Sequence, residues 1–368
     1  MSTPPLPRRA DPLLRDAREI LVFRALVLGD WLCATPALRA LRRAAPHARI
    51  VLCGLPWTAD LAARLPTVDE FLAFPGHPEL PERTPEPGAF EAFLATARAR
   101  RFDLALQCHG SGSIVNPLLA TLGARHVAGF ATPGTEAGLD LAVPWPVSGP
   151  EIERCLALTE ALGAPRAGLQ MDFPLTAADH AQAAEALASA GVRGPFAIVH
   201  PGSQLPSRRW APARFAAVAD ALADQGLTVV ITGSPSEAPL AAAVRAACRT
   251  APVDLTGRTP SIWSLGAVVA SAALVVANDT GISHVAAALG VPSTIVASGS
   301  DVARWAPLDT ARHPVLWHPT ACRPCAHAVC PTAHECAAGV AAPDVISSAL
   351  HLLERTAPCR PRSPAFAS

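Results

Sequence analysis

Short apolar segments alternate with alanine-rich helical segments along most of the 368 residues, and this alternation is the feature that most constrains the fold. One series begins with an apolar strand at 20–28 and ends with a helix at 151–162. A second series begins with a strand at 196–200 and ends with a helix at 343–355. Because parallel strands joined by helices build doubly wound sheets, the pattern predicts an α/β protein with two doubly wound domains that face a central cleft.

The expected division of the chain follows these two series. Residues 134–150 are predicted to be irregular, and residues 163–173 are predicted to connect the domains. The full division is a disordered tail at 1–18, an N-terminal domain at 19–165, a C-terminal domain at 166–340, and a terminal helix with its tail at 341–368.

The composition excludes several classes of protein. The chain contains no lysine, so it has neither a P-loop lysine nor a Schiff-base lysine, which excludes Walker-type kinases and pyridoxal enzymes. Its 30 basic and 30 acidic residues cancel, so no nucleic-acid partner is expected. The sequence shows neither a signal peptide nor an apolar run long enough to span a membrane. We therefore expect a cytoplasmic protein, with peripheral association at the inner membrane left open.

The most informative motif is the stretch at 274–284, LVVANDTGISH. An apolar strand meets a polar turn and restarts as a helix, and ligands of parallel sheets bind at such strand ends. The amino end of the helix favours an anion such as a diphosphate. Asp279 and Thr280 add hydrogen-bonding groups, Gly281 allows close approach, and His284 lies one turn into the helix. The alternative is an ordinary helix start that Asp279 caps.

A second motif, LGDWLCATPAL at 28–38, follows the first strand. Gly29 is expected to permit a tight turn, after which Asp30 projects from the carboxyl end of the strand. A carboxylate at that position can accept a proton from a hydroxyl nucleophile. The alternative is that Asp30 only caps the next helix.

Two further loops carry polar residues. At 199–210, VHPGSQLPSRRW, hydroxyl, amide and guanidinium groups can bind phosphate oxygens; these belong to Ser203, Gln204, Arg208 and Arg209. The alternative is that the arginines are ordinary solvated surface residues. At 101–112, Gln107 and His109 follow another strand and would suit a sugar or an acceptor, although an ordinary β–α loop explains them equally well.

Taken together, these motifs resemble glycosyltransferase family 9, the heptosyltransferases of lipopolysaccharide core synthesis. The resemblance extends over 19–353 and rests on three patterns: G-D-x5-P-A-L at 29–38, H-P-G with a later R-x-W at 200–210, and N-D-T-G-x-x-H at 278–284. The resemblance makes the loop at 199–210 the donor loop, the segment expected to contact the nucleotide sugar. The chain departs from the family pattern after the next strand, where Glu237 is the nearest glutamate to Gly233. Glu237 is therefore only a candidate contact for the donor base.

The resemblance implies a GT-B fold of two Rossmann-like domains, with the acceptor on the N-terminal domain and the nucleotide sugar on the C-terminal domain. It implies an inverting, metal-independent transfer in which Asp30 is the catalytic base. The implied donor is ADP-heptose or a related nucleotide sugar, and the implied acceptor is a glycan or a glycolipid. The implied donor contacts are Ser203, Gln204, Arg208, Asp279, Thr280, Gly281 and His284.

A cysteine cluster stands apart from these motifs. Four thiols at this spacing can bind zinc or iron tetrahedrally; they belong to Cys322, Cys325, Cys330 and Cys336. Free or redox-active thiols and disulfides are the alternatives, and any metal is expected to be structural.

Two other kinds of function remain open from the sequence. One is a nucleotide-sugar epimerase or isomerase on the same fold, which would form its product from the donor alone. The other is a non-catalytic metal-binding or redox protein that uses the cysteine cluster.

Overall fold

The computed structural model describes residues 12–356. The chain forms two compact units, with the boundary between Pro174 and Leu175. Each unit has a six-stranded sheet in which all neighbouring strands are parallel. Helices flank both sheets, which confirms the predicted α/β class and the two Rossmann-like domains.

The first unit has the strand order β3-β2-β1-β4-β5-β6. Its strands are β1 (Glu19–Phe23), β2 (Arg49–Gly54), β3 (Glu70–Ala73), β4 (Leu104–Gln107), β5 (His126–Ala131) and β6 (Leu141–Pro144). Its helices are α1 (Pro12–Arg15), α2 (Leu28–Ala44), α3 (Ala59–Arg64), α4 (Ala89–Arg100), α5 (Val115–Ala120) and α6 (Glu151–Ala161). The central strands are almost continuous apolar runs because helices cover both faces of a doubly wound sheet, and α6 packs along α2.

The second unit repeats this order as β9-β8-β7-β10-β11-β12. Its strands are β7 (Phe196–His200), β8 (Thr228–Ile231), β9 (Val253–Asp254), β10 (Leu274–Asn278), β11 (Ser293–Ala297) and β12 (Val315–Trp317). Its helices are α7 (Ala177–Ser189), α8 (Pro212–Asp224), α9 (Ala238–Ala247), α10 (Ile262–Ser271), α11 (Gly281–Ala288), α12 (Val302–Trp305), α13 (Glu335–Ala338) and α14 (Ala342–Thr356). The strand order reverses between β7 and β10, which is where sheets of this type bind ligands.

The first predicted strand is too long. The sequence pattern predicted a strand at 20–28, whereas β1 ends at Phe23 and α2 already begins at Leu28. Gly29 therefore lies inside a helix, and the predicted tight turn at this glycine is wrong. The apolar residues after Phe23 continue the strand pattern, but the strand ends next to Arg24, which is buried against partners that are distant in sequence.

The predicted ends of the chain also need correction. Residues 1–11 of the expected tail lie outside the described residues, but 12–18 contain α1 and the buried Leu14 and Ala17. That part of the tail prediction is wrong because these apolar side chains pack into the first unit. The terminal helix is not a separate element, since α14 buries Val345, Ala349 and Leu352 in the core of the second unit. Residues 357–368 lie outside the described residues.

Further elements and one boundary differ from the sequence predictions. The strand β6 lies within 134–150, which was predicted to be irregular, and α7 was not predicted. Because α7 packs against α10, the second unit begins at Leu175 rather than after residue 165. Among the described residues, no helix combines the length and the apolar character needed to cross a membrane.

Acid is expected to destabilise the protein through His313. This side chain is buried and shares a 2.8 Å hydrogen bond with Ser293 at the start of β11. Burial lowers the pKa of His313 to about 4, whereas an unfolded histidine titrates near about 6.5. Between these values the unfolded chain binds the extra proton, so stability is lost as the pH falls from about 6.5 to about 4, by up to about 3 kcal/mol.

Urea unfolding at pH 7 and at pH 4.5 measures this loss. His313→Asn, which keeps a polar group near Ser293 but does not titrate, should flatten the pH dependence. The exposed His180 on α7 provides the control, since His180→Asn should leave it unchanged. An equally steep acid loss in His313→Asn would contradict the prediction.

Candidate functional site

The predicted donor motifs follow β7 and β10, the two strands at the reversal point of the second sheet. Asn278, the last residue of β10, is fully buried. Its Oδ1 accepts a hydrogen bond from Trp210 N at 3.0 Å, and its Nδ2 donates to Pro201 O at 2.7 Å. Asn278 therefore ties both ends of the loop after β7 to the end of β10.

The amino end of α11 is not capped by the residue that the sequence suggested. The N-cap residue is Thr280, not Asp279, because the hydroxyl of Ser283 accepts from Thr280 N and donates to Thr280 O. Asp279 is thus not the cap; it is half-buried and immediately precedes the N-cap residue. His284 is buried one turn further on, with its ring edge-to-face against Trp305.

The loop after β7 contains the other predicted donor contacts. Ser203 is buried and its carbonyl accepts a 2.9 Å hydrogen bond from Arg209 Nε, so Arg209 braces the loop. Gln204 is exposed. Arg208 ends a short 3-10 helix, and its Nη2 donates to Cys325 O at 2.6 Å. The predicted residues therefore differ in setting: Ser203 is enclosed, while Gln204 and the half-buried Arg208 remain accessible to a ligand.

The segment 322–336, which holds the cysteine cluster, supports this donor loop. The hydroxyl of Ser207 donates to His327 O at 2.6 Å, and Ser207 N donates to Ala328 O at 3.0 Å. His334 Nε2 donates to Ser207 O at 2.8 Å. Together with the Arg208 contact, these bonds fix the donor loop from the side of the cysteine segment.

Arg323 lies in the same segment and was not predicted as a site residue. Its two terminal nitrogens donate to Ala297 O and Ser300 O, each at 2.7 Å, just after β11. Burial is the main cause that lowers the pKa of Arg323; the charge of Arg208 acts in the same direction, and Asp279 opposes it. Arg323 therefore adds a second positive charge near Arg208. The one sequence signal for Arg323 is its position between Cys322 and Cys325.

The four cysteines of the cluster line one small cavity of about 40 Å³, together with His327 and His334. Thiols are ligands that zinc and iron prefer. Over residues 12–356, however, no three cysteine, histidine or acidic side chains converge closely enough to hold an ion. The sulfur of Cys322 lies against Thr320 and that of Cys330 against Thr332. In this arrangement the donor atoms share a cavity but not a common centre.

Glu237 follows β8 and reaches the donor loop. Its Oε2 accepts hydrogen bonds from the amide and the hydroxyl of Ser234, at 2.7 and 2.9 Å. Its carboxylate also packs against Gly202, where an added Cβ would lie 2.1 Å from Glu237 Oε1. A side chain at position 202 would therefore displace the Glu237 carboxylate, which is close enough to the loop to remain the candidate contact for the donor base.

In the first unit, Asp30 is the third residue of α2, whose N-cap is Val27. Its carboxylate lies 3.4 Å from Arg24 Nη2, and the same Nη2 lies 2.8 Å from Glu151 Oε1. The explanation of Asp30 as the N-cap is therefore wrong, because Val27 holds that position and Asp30 lies within the first turn of the helix. Neither Arg24 nor Glu151 was predicted as a site residue. Arg24 precedes the motif at 28–38, and Glu151 is distant from it in sequence.

Gln107 and His109 close their own loop. Gln107 Oε1 accepts from His109 N at 2.9 Å, and Ala25 N donates to His109 Nδ1 at 3.1 Å. The His109 ring also packs against Phe23. These contacts are those of an ordinary β–α loop, the alternative that the sequence left open.

Comparison with known proteins identifies one family. The model of glycosyltransferase family 9 (heptosyltransferase) matches residues 92–335. Lipopolysaccharide heptosyltransferase 2 of Escherichia coli (strain K12) is 27% identical over 293 residues, which cover 74% of this chain and 81% of that protein. A lipopolysaccharide heptosyltransferase 3 of Escherichia coli is 31% identical over 120 residues, a match that spans only 35% of that protein.

Solved structures have the same fold. The glycosyl transferase family 9 structure from Veillonella parvula aligns with a TM-score of 0.78 at 22% identity, covering 92% of this chain and 98% of that one. The structure of Escherichia coli ADP-heptose lps heptosyltransferase II aligns with a TM-score of 0.71 at 20% identity, covering 92% and 99%. These likenesses confirm a GT-B architecture over nearly the whole described chain.

Proposed function

The chain belongs to glycosyltransferase family 9, the heptosyltransferases, and on that premise we propose that it moves a heptose or a related sugar from an ADP-sugar to an acceptor hydroxyl. The acceptor we propose is a glycan or glycolipid in the synthesis of lipopolysaccharide or another cell-surface glycan. A relative named for lipopolysaccharide heptosyl transfer, 27% identical to this chain, supports that choice. A cytoplasmic location, peripheral at the inner membrane, is part of the same proposal because a glycolipid acceptor is held in a membrane.

The observation that carries the proposal is the joining of two loops at the reversal point of the second sheet. Asn278 bonds to both ends of the loop after β7, so Arg208 and the amino end of α11 belong to one hydrogen-bonded structure. A guanidinium and a helix amino end are the groups that bind a diphosphate. The remaining proposed donor contacts belong to the same two segments: Ser203, Gln204, Asp279, Thr280, Gly281 and His284.

In the proposed reaction, Asp30 accepts the proton of the acceptor hydroxyl while the hydroxyl oxygen attacks the anomeric carbon. The bond from that carbon to the diphosphate oxygen breaks on the opposite face, which inverts the anomeric configuration. The electron pair of the broken bond leaves with ADP. Arg208 and the amino end of α11 stabilise the negative charge that develops there.

A nucleotide-sugar binding panel tests the donor. We expect ADP and ADP-sugars to bind, and the uridine and guanosine counterparts to bind about tenfold more weakly or worse, because a site built for one base leaves polar groups unpaired with another. Titration calorimetry measures these affinities. Equal affinity for UDP-sugars would contradict an ADP-sugar donor.

A structural zinc or iron at Cys322, Cys325, Cys330 and Cys336 remains a proposal, supported by the shared cavity of the four thiols. Such an ion would hold the cysteine segment and would require the sulfur atoms to move together. Because no reacting group lies in that segment, we expect a chelator to leave the initial transfer rate unchanged.

Elemental analysis before and after EDTA treatment, with rate and thermal unfolding measured on the same samples, checks this expectation. A loss of transfer with an unchanged unfolding temperature would contradict the metal-independent mechanism. A loss of transfer together with a lower unfolding temperature would show that the ion stabilises the fold.

A further inference from the structure

A buried cluster of charged side chains lies at the amino end of α2 in the first unit. Arg24 and Glu151 are 2% and 3% exposed, and Arg24 Nη2 lies 2.8 Å from Glu151 Oε1. The same Nη2 atom lies 3.4 Å from Asp30 Oδ1, and the Asp30 side chain is 14% exposed. Arg24 therefore contacts two carboxylates, a buried one at short distance and a more accessible one at longer distance.

Several elements hold the guanidinium of Arg24 in this position. Its Nε donates to Asp30 O at 3.0 Å, and its Nη1 donates to Cys108 O after β4. Glu151 is the first residue of α6, where the amino end of a helix favours a carboxylate. Because α6 packs along α2, Glu151 holds Arg24 from a helix that does not carry Asp30.

The shared contact has an electrostatic consequence for Asp30. A cation beside a carboxylate favours its ionised form and weakens it as a base. If Asp30 were the only anionic partner of Arg24, it would be held in the ionised state too strongly to accept a proton readily. The charge of Glu151 offsets that of Arg24 and takes its shorter contact, which weakens the electrostatic effect of Arg24 on Asp30.

We propose that Glu151 is a positioning residue for sugar transfer, and that it acts through Arg24 to set the orientation and the basicity of Asp30. This inference rests on the proposed role of Asp30 as the base. Arg154, whose Nη1 lies 3.6 Å from Glu151 Oε2, also faces the cluster, as do the thiols of Cys108 and Cys155, whose sulfur atoms lie 3.7 Å apart.

The pH dependence of kcat tests the proposal. Its acid limb, the pH range in which kcat falls as Asp30 becomes protonated, should move in one direction when Glu151 is replaced and in the other when Arg24 is replaced. In Glu151→Gln the surroundings of Asp30 become more positive, so the limb should move to lower pH by on the order of one unit. The plateau kcat should fall about tenfold because the base is weaker, while the donor KM stays unchanged. In Arg24→Met the limb should move to higher pH by a similar amount, because Asp30 then faces Glu151 without the cation.

Two variants serve as references. Glu153→Gln removes a carboxylate from the same helix, but that carboxylate pairs with Arg166 outside the cluster, so its profile should match the unmodified protein. Arg24→Lys keeps the cation and should leave the limb closer to its original position than Arg24→Met does. If Glu151→Gln does not fold, Glu151→Asp replaces it; its shorter side chain lengthens the contact to Arg24 and should move the limb in the same direction by less.

The outcome separates this inference from the proposed function. Limbs that stay in place, or that move in the same direction in the glutamate and arginine variants, would overturn the role of Glu151. A transfer rate that survives in Asp30→Asn would instead overturn Asp30 as the base, whatever the other variants do.

Discussion

Asp30→Asn is expected to lower kcat by at least about 10²-fold, because a neutral sugar hydroxyl is a poor nucleophile and general-base catalysis contributes about 10²–10⁴-fold. The change keeps the shape of the side chain but removes the proton acceptor. Donor affinity should change little, since the proposed donor contacts belong to the second unit. Steady-state kinetics with an authentic acceptor, together with calorimetry of ADP binding, measures both quantities.

The control is Asp60→Asn, which removes an exposed carboxylate from the first turn of α3 in the same unit and should leave kcat unchanged. Thermal unfolding must accompany the assay, because Arg24 loses one of its two anionic partners in Asp30→Asn. A near-normal rate in a folded Asp30→Asn protein would sink the assignment of the base.

Arg208→Ala is expected to weaken ADP-sugar binding by about 1.5–3 kcal/mol, the usual contribution of a charge-assisted hydrogen bond, which corresponds to about 10–150-fold in Kd. Arg208 is half-buried at the end of the donor loop, and one of its nitrogens already bonds to Cys325 O. Arg208→Lys keeps the charge but loses the planar fork that can hold the protein carbonyl and a phosphate together. The affinity of Arg208→Lys for ADP-sugars should therefore fall between those of the unmodified protein and Arg208→Ala.

Arg245→Ala is the matched control, since this exposed arginine on α9 forms a long ion pair, 3.8 Å, with Asp254. It should bind ADP-sugars like the unmodified protein. Donor affinity that is the same in Arg208→Ala and Arg245→Ala would move the diphosphate site away from this loop. His284→Ala should also weaken binding, by disturbing the packing of α11 against Trp305.

The fold could be predicted from the sequence because parallel strands leave long apolar runs between helices. The strand β11 is found at the residues that the pattern indicated, 293–297. The errors arise where a tertiary contact overrides the local pattern. The strand β1 ends next to Arg24, whose buried guanidinium contacts Glu151 and Asp30, and no periodicity within 20–28 indicates those partners. The short edge strands β9 and β12 have two and three residues, too few for an alternating pattern to stand out.

The site was predictable only as far as motifs reach. Asp30 and Arg208 lie in motifs that indicate a strand end and a polar loop. Asn278 was visible within its motif, but its bonds to Pro201 and Trp210 depend on strand pairing across the sheet. Arg323 and Glu151 acquire their roles from contacts with distant segments. Sequence reasoning therefore finds the loops proposed to bind the donor, but it does not find the contacts between distant segments that hold those loops in place.

The most direct test of the central claim is mass spectrometry of a reaction that contains the protein, ADP-heptose and a lipopolysaccharide core acceptor lacking heptose. We predict that the acceptor gains the mass of one heptose and that ADP is released in equal amount. Neither product should form when the acceptor is left out, beyond slow hydrolysis of the donor. An unmodified acceptor, with an altered nucleotide sugar formed from the donor alone, would contradict glycosyl transfer and identify an epimerase or isomerase instead.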